Sequence, residues 1–509
     1  MVNWIFLTPI IVAVALLFLP RKWGTVAWFA TFIAMFVSMV LAISVFFKFD
    51  PSVTGIQFEH KAVWVQALGI NFHTGVDGIN VGLLLMGAIV AFTASCLSWD
   101  VKTREKEFSI LLLLMSGGIL GAFASFDMFF FYFFHELALI PTFIMIGVWG
   151  QGENKNYATF QITIYLTIGA LITLFGLILL YVKANANTFD IVDLSNSLAK
   201  RQIESQGQSL IFPILMVGFG TLVSLFPFYS WAPPGYAAAP APAAMMHAGV
   251  IKKFGLLGFL RICIPLLPQG AIEWTHILAV LCVGNMLYCG WVAMQQKNLN
   301  MLFGFSSVAH MGFAFLGIAS LTVIGLTGAV VIMIAHGLLA ALSFGLSGWY
   351  QKQTGTLEFD KMGGFLKRLP FMGTALLIAM FAGCGLPGFA NFVGELLVFF
   401  GAWKDFSFYV VLGAWGALVI GAIYMLGAAR KILHGELKPE FSRIRDAQTF
   451  WRKIPYSILI AALLFFGIFP VVLTKRIEPS VKMILKVVDK PENKAQMKPL
   501  APTKIKKSK

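Results

Sequence analysis

Residues 127–149 read DMFFFYFFHELALIPTFIMIGVW. A run of about twenty apolar residues is long enough to cross the hydrocarbon core of a bilayer as a helix. This one carries His135 and Glu136 about a third of the way along. An ionisable side chain at mid-membrane costs about 2.5–3.5 kcal/mol on insertion scales, and such residues persist mainly where ions move. The stretch sets two expectations: the helix spans a membrane, and its acid serves a purpose there.

Working outward, similar runs fall near residues 3–19, 25–47, 78–98, 108–125, 159–182, 209–232 and 240–266. More lie near 272–294, 299–320, 324–350, 370–403, 407–433 and 454–474, which predicts an all-α integral membrane protein of about fourteen spans. Composition agrees. The chain is 58% hydrophobic and only 12% charged, against about 25% charged residues in an ordinary soluble domain. A mean hydropathy of +0.81 leaves too little polar surface to face water all round. At the N-terminus Arg21 and Lys22 follow the first apolar run instead of preceding it, unlike a cleaved signal peptide, so the run is expected to stay as the first helix.

The net charge of +15 reflects mainly the C-terminus, where eleven of the 38 basic residues follow residue 474. A basic polar tail over residues 475–509 is the expectation, facing water or lipid headgroups; nucleic-acid binding is implausible for so apolar a chain. Loops after odd-numbered spans hold Arg21, Lys22, Lys102, Arg104, Lys106, Lys155, Lys297, Lys352, Lys361, Lys367 and Arg368, with seven more basic residues in the 430–453 connection. Loops after even-numbered spans hold six: Lys48, Lys61, Lys183, Lys200, Arg201 and Lys404. The positive-inside rule places the odd loops in the cytoplasm and both termini outside, with the basic tail as the dissenting feature.

Two segments break the pattern of a plain helix. Residues 224–240 read SLFPFYSWAPPGYAAAP, and residues 383–395 read GCGLPGFANFVGE. Broken backbone at membrane depth is tolerated only where protein or a water-filled cavity covers the freed groups. Interrupted helices at corresponding places in two halves of a chain point to a transporter built from inverted repeats.

The buried ionisable residues make a short list. Besides His135 and Glu136 there are His247, Lys252 and Lys253 in MMHAGVIKKFG (245–255), His310 in SSVAHMG, His336 in MIAHGLL, and Glu395 just after the second break. Lys252 and Lys253 are consecutive, so they project about 100° apart, and one of them is free to snorkel. Carboxylate, amine and imidazole groups spread through a bundle without a clustered nucleophile form the inventory of a proton relay, because burial disfavours the charged form of either sign. No Gly-rich phosphate loop and no Ser/His/Asp triad is present. Cys96, Cys263, Cys282, Cys289 and Cys384 show no CxxC or metal-type spacing, so no iron–sulfur cluster, zinc or haem is expected.

The segments FHTGVDGIN (72–80), FFHELALIP (133–141), FGFSSVAHMGF (303–313), MIAHGLLAALSF (333–344), KMGGFLKRLP (361–370) and GLPGFANFVGELLVFFG (385–401) carry a resemblance. Over roughly residues 1–475 the chain resembles subunit M of the proton-pumping NADH–quinone oxidoreductase, respiratory complex I. It is also similar to the D-type subunit of multisubunit cation/proton antiporters. The resemblance implies fourteen helices with broken helices seven and twelve. It divides the chain into helices one to three (1–107), a first five-helix repeat (108–266), a second, inverted repeat (267–433), a connection with helix fourteen (434–474) and the tail (475–509). Glu136, Lys253 and Glu395 match the family's proton-path residues on helices five, eight and twelve; His310 and His336 match two family histidines. His135, His247, Lys252 and Lys297 are auxiliary candidates.

The same resemblance implies a subunit that is not catalytic alone. NAD, FMN, iron–sulfur clusters and quinone are expected in partner subunits, and none on this chain. The expected partners are other complex I membrane subunits, including the L-type and N-type antiporter-like ones, with the bacterial inner membrane as location. The chain departs from the pattern at several positions. Leu222 stands where the family's helix-seven lysine belongs, leaving Glu136 without that cation. The family element close to PDAHVEAP reads PPGYAAAP here (233–240), and Asn300 takes a helix-ten lysine position, with Lys297 one turn earlier as its substitute. The expectation is a proton path modified or reduced at Leu222; an antiporter component and a non-pumping structural copy are the alternatives.

Overall fold

Eleven helices among residues 1–489, the part of the chain described by the computed structural model, are long and apolar enough to cross a membrane. The N-terminal helices are α1 (Val2–Leu17), α2 (Gly24–Lys48) and α3 (Asn80–Leu97). A first block follows: α4 (Glu105–Ala124), α5 (Met128–Trp149), α6 (Lys155–Ala184), the short surface helix α7 (Ile191–Lys200), and α8 (Ser205–Val223) continued by α9 (Ala232–Ala238). The block ends with α10, residues 241–266, whose α-helical turns are interrupted by π turns at His247–Ile251 and Phe259–Cys263.

The second block comprises α11 (Pro268–Met294), α12 (Leu299–Ala319) and α13 (Val323–Thr354). After it come α14 (Pro370–Gly383) and a long run, Ala390–Leu433, that bends where Phe406 leaves helical backbone angles (φ −131°, ψ 31°). The bend divides that run into α15 (390–405), completing the span begun by α14, and α16 (407–433). α17 (Phe450–Ile468) is the last crossing. Counting α8 with α9 and α14 with α15 as single broken spans gives the about fourteen spans expected from hydropathy, with a break in the fourth span of each block.

Each break has a local reason. At the first, α8 stops at Ser224, which takes a positive φ of 71°, and the prolines deny the next turns their amide donors. Asn285 of α11 covers the freed groups: its Oδ1 accepts from the Phe226 N–H at 2.7 Å, and its Nδ2 donates to the carbonyls of Ser224 and Val308 at 2.9 and 3.0 Å. This is the compensation that broken backbone in lipid demands. At the second, α14 ends at Cys384 and the chain turns through Gly385 (φ +65°) and Gly388 (φ +100°), a region open to glycine at no steric cost.

The connections gather on two faces. On one, a β-hairpin joins β1 (Gln57–Val65) to β2 (Ile70–Val76). It meets the α4–α5 turn through the Phe126 N–H donating to the His73 carbonyl at 2.8 Å, and that turn holds the segment before α7 through Met128 N–H to Phe189 carbonyl at 2.9 Å. On the other face, the ends of α5 and α9 meet where the Gln151 N–H donates to the Ala238 carbonyl at 2.8 Å, and the α12 start meets the 354–364 loop at Leu299 N–H to Leu357 carbonyl, 3.0 Å.

Hydropathy gives no sign of the hairpin or of α7, because both lie outside the long apolar runs. The tail needs a correction. Residues 475–488 belong to a helix, α18 (Val471–Val488), whose Leu473, Ile477, Val481, Leu485 and Val488 recur at helical spacing and are buried. It packs on the hairpin face: the Arg476 guanidinium donates to the Phe46 carbonyl at 3.3 Å, and the Gly78 N–H donates to Ser480 Oγ at 2.9 Å. Its basic residues mask the apolar periodicity in the sequence. Residues 490–509 of the expected tail lie outside the described residues.

Candidate functional site

The site is built around α10, a helix buried along almost its whole length. Its first π turn widens the helix at His247–Ile251, just before Lys252 and Lys253; such single-turn bulges recur at functional positions. Both lysines are fully buried, so neither snorkels. The sequence expectation fails because α10 is enclosed by the other helices, which leave neither lysine side chain at the surface of the chain. The 100° between them survives as a division of partners. Lys252 Nζ donates to Ser307 Oγ of α12 at 3.1 Å, and Lys253 Nζ donates to the Ala248 carbonyl at 2.8 Å and lies 2.9 Å from His336 Nδ1 of α13.

From Lys253 the polar groups continue through the second block. The His336 and His310 rings are 5.7 Å apart, centroid to centroid. His310 Nδ1 lies 2.7 Å from the Ser306 carbonyl, and its Nε2 lies 3.8 Å from Glu395 Oε1. Tyr424 of α16 donates its hydroxyl to Ser306 Oγ at 3.1 Å. All six of these ionisable or hydroxyl-bearing side chains, Lys253 included, are buried. Glu395 reaches this position because of the second break: its carboxylate rests against Gly385, where a Cβ would collide with Oε2. The glycine therefore answers two demands, a left-handed backbone and a close approach.

The first block looks different. Glu136 keeps 30% of its side chain exposed, on the face of α5 that carries Phe133 and Ile140 outward. Its nearest cationic candidate is His135, whose Nδ1 lies 3.5 Å from Glu136 Oε1 without hydrogen-bond alignment. Among the described residues no lysine or arginine stands within salt-bridge distance of Glu136. His135 stacks on Phe254 with ring centroids 3.8 Å apart, in the manner of a packing residue. Leu222 is buried against Gly169 of α6.

The structure thus brings together Lys253, His336, His310 and Glu395, with Lys252 alongside, and leaves Glu136 and His135 apart from them. His247 is buried with Nδ1 3.4 Å from the Tyr236 hydroxyl. Lys297 is exposed and does not take over from the missing helix-ten lysine. The residue before α12 is needed as its cap: Asn298 Oδ1 accepts the N–H groups of Asn300 and Met301 at 3.0 and 3.3 Å, which turns Lys297 out of the helix.

Two groups escaped the sequence reading. Arg261, deep in α10, donates to the carbonyls of Phe123 and Ser125 at 3.0 and 2.9 Å and pairs with Asp77 at 3.0 Å. An arginine inside an apolar span, and an aspartate in FHTGVDGIN, were visible signals for it. Asn391, one turn before Glu395, is buried with neither amide atom partnered by protein. A buried orphan amide is costly unless water or a moving proton carrier visits it. Arg261 differs from the lysines in kind. Its charge is matched by an aspartate and two carbonyls, whereas Lys253 faces only a carbonyl and an imidazole.

An amine and an imidazole 2.9 Å apart share one proton readily and two only at high electrostatic cost. A change of charge at Glu395 or at Lys253 thus shifts where protons sit on the histidines between them. Broken spans, buried backbone satisfied from neighbouring helices, and a line of ionisable groups define an ion-translocating membrane protein. Residues 125–421 match the family model described as "NADH:quinone oxidoreductase/Mrp antiporter, TM". The chain belongs to this family.

Relatives agree over almost the whole length. The chain is 31% identical to NADH-quinone oxidoreductase subunit M of Rickettsia prowazekii over 470 residues, 92% of this chain and 94% of that one. It is also 31% identical to an NAD(P)H-quinone oxidoreductase chain 4 of Synechococcus elongatus, over 92% of this chain and 89% of that one. A chain in the structure of respiratory complex I from Thermus thermophilus with bound NADH superposes with a TM-score of 0.87 at 28% identity, covering 96% of this chain and 100% of that one. A chain of the Mrp complex from Dietzia shares the fold at 16% identity, with a TM-score of 0.83.

Proposed function

We propose that the chain is a membrane-arm subunit of a bacterial proton-translocating NADH–quinone oxidoreductase, in the inner membrane, and that protons cross it along Lys253, His336, His310 and Glu395. The observation that carries this reading is the buried amine–imidazole contact of Lys253 and His336, continued through His310 to a buried carboxylate. Burying a lysine without a carboxylate partner costs stability that a structural role would not need. Electron transfer belongs to the assembly: NAD, FMN, iron–sulfur clusters and quinone sit on partner subunits. The L-type and N-type antiporter-like subunits are its neighbours in the membrane. In this chain the limb at Glu136 is reduced, since Leu222 offers it no cation.

The experiment is Glu395→Gln in the assembled complex, in inside-out membrane vesicles supplied with NADH and quinone. The expected result is assembled complex with proton translocation strongly lowered. Unchanged translocation per electron would overturn the reading in favour of a structural copy. The family model's breadth and the Mrp fold support a second reading, a cation/proton antiporter component; proton exchange against sodium without redox subunits would favour that one.

A further inference from the structure

The face opposite the hairpin holds an open cavity of about 940 Å³, lined by ends of α3, α6, α9, α10, α12 and α13. Its mouth carries Asp100, Glu153, Lys352 and Glu358, and Asn300 lines it too, with a buried Oδ1 that no protein group partners. Its inner wall is Pro234, Ala237–Pro242 and Phe344. By the distribution of basic loops this is the cytoplasmic face. The altered element PPGYAAAP forms the floor, and the residue behind that floor is Tyr236.

Tyr236 is fully buried, packs on Phe344 with ring centroids 5.6 Å apart, and places its hydroxyl 3.4 Å from His247 Nδ1. Lys252 Nζ lies 5.5 Å from the Tyr236 ring centroid, and His247 Nε2 is buried with no protein partner. Beyond Lys252 stands Ser307, then Ser306 and His310. In the family element the tyrosine's position belongs to a histidine, and the acidic residues around it have become proline and alanine. The groups that remain between the cavity and the central line are therefore a phenol, an imidazole and an amine.

We propose that Tyr236 and His247 form the proton gate between this cavity and Lys252, serving as the uptake limb that the first block lacks at Leu222. This rests on the function proposed above. A proton from cavity water binds Tyr236 Oη as that oxygen gives its own proton to His247 Nδ1. The imidazolium then releases its Nε2 proton toward the free amine of Lys252, and tautomer exchange, which returns the remaining proton from Nδ1 to Nε2, restores the acceptor. One proton leaves the cavity, one arrives at Lys252, and the tyrosine is unchanged. The hydroxyl is the essential part, since a ring without it would pack on Phe344 equally well.

The test is Tyr236→Phe, with His247→Gln as the second variant and Glu395→Gln as reference, all in the assembled complex in vesicles. Protons translocated per electron are measured in water and in deuterium oxide, with complex content checked by native gel. Both gate variants are expected to lose half or more of the translocation at unchanged assembly, and the solvent isotope effect of the parent is expected to change in Tyr236→Phe. Normal translocation and isotope effect in Tyr236→Phe, with loss in Glu395→Gln, would overturn the gate and leave the proposed function standing. Normal translocation in all three would overturn both.

Discussion

The two blocks of the molecule each hold one mid-membrane glutamate, and the two sit in opposite circumstances. Glu395 is buried at the turn of a broken helix, with an imidazole on one side and a glycine cleared for its carboxylate on the other. Glu136 lies on an unbroken helix with nearly a third of its side chain exposed, and among the described residues no lysine or arginine stands within salt-bridge distance of it. A buried acid keeps its place in a membrane protein when surrounding groups can trade protons with it. On the proposed function, the second block carries the relay, and the first lacks a cation for its acid.

The largest expected difference is between the acids themselves. Glu395→Gln is expected to lower proton translocation on the order of a hundredfold, the usual scale for losing a positioned proton-transfer group, while Glu136→Gln changes it less than about twofold. Vesicle acidification driven by NADH, normalised to complex content, reads both. Next, Lys253→Met is expected to remove most translocation without unfolding the protein, because a lysine buried against neutral partners gives way to a hydrophobic side chain of similar volume at little cost. A thermal melt of the purified complex within a few degrees of the parent checks the second half of that statement.

Breaking Arg261 should do the opposite. Arg261→Met leaves Asp77 and two carbonyls without their donor, and removing one partner of a buried pair costs about 3–5 kcal/mol. Lower assembly with normal translocation in the surviving complex is the expected pattern. That contrast separates charges kept for structure from charges kept for transport.

The smallest effect concerns the hairpin. There Lys61 Nζ pairs with Asp190 at 2.9 Å and Asp193 at 2.6 Å, and His73 Nδ1 lies 2.7 Å from Asp190. Burial would raise the Asp190 carboxyl, but its hydrogen bonds to His73 and Lys61 prevail and hold it below the ordinary value of 3.8. Burial likewise pulls the Lys61 ammonium down, and its bonds to Asp193 and Asp190 prevail and hold it above 10.5. A depressed acid stabilises above its unfolded value and loses that contribution as pH falls through the folded one; a raised amine loses its contribution as pH rises through the folded one. Protection of residues 57–76 against hydrogen exchange, taken relative to the intrinsic amide rate at each pH, is therefore expected to stay flat between these limits and to fall below about pH 4.

Much of this was legible in the sequence because lipid makes composition and span length decisive. The breaks were readable from proline and glycine, and the buried charges from their oddity in apolar runs. Other features were not legible. Whether Lys252 could snorkel depended on α10 being central, which its own residues do not reveal. The hairpin, α7 and α18 lie outside the hydrophobic signal. Arg261 was visible but meaningful only beside Asp77, 184 positions away. The separation of Glu136 from the relay rests on geometry, although Leu222 announced it.

The central claim is that protons cross through the second block and α10, and not through Glu136. The most direct test compares protons translocated per electron in Glu395→Gln and Glu136→Gln complexes of equal content. Loss in the first with near-parent coupling in the second is the predicted result. Equal loss in both would contradict the claim and return Glu136 to the path.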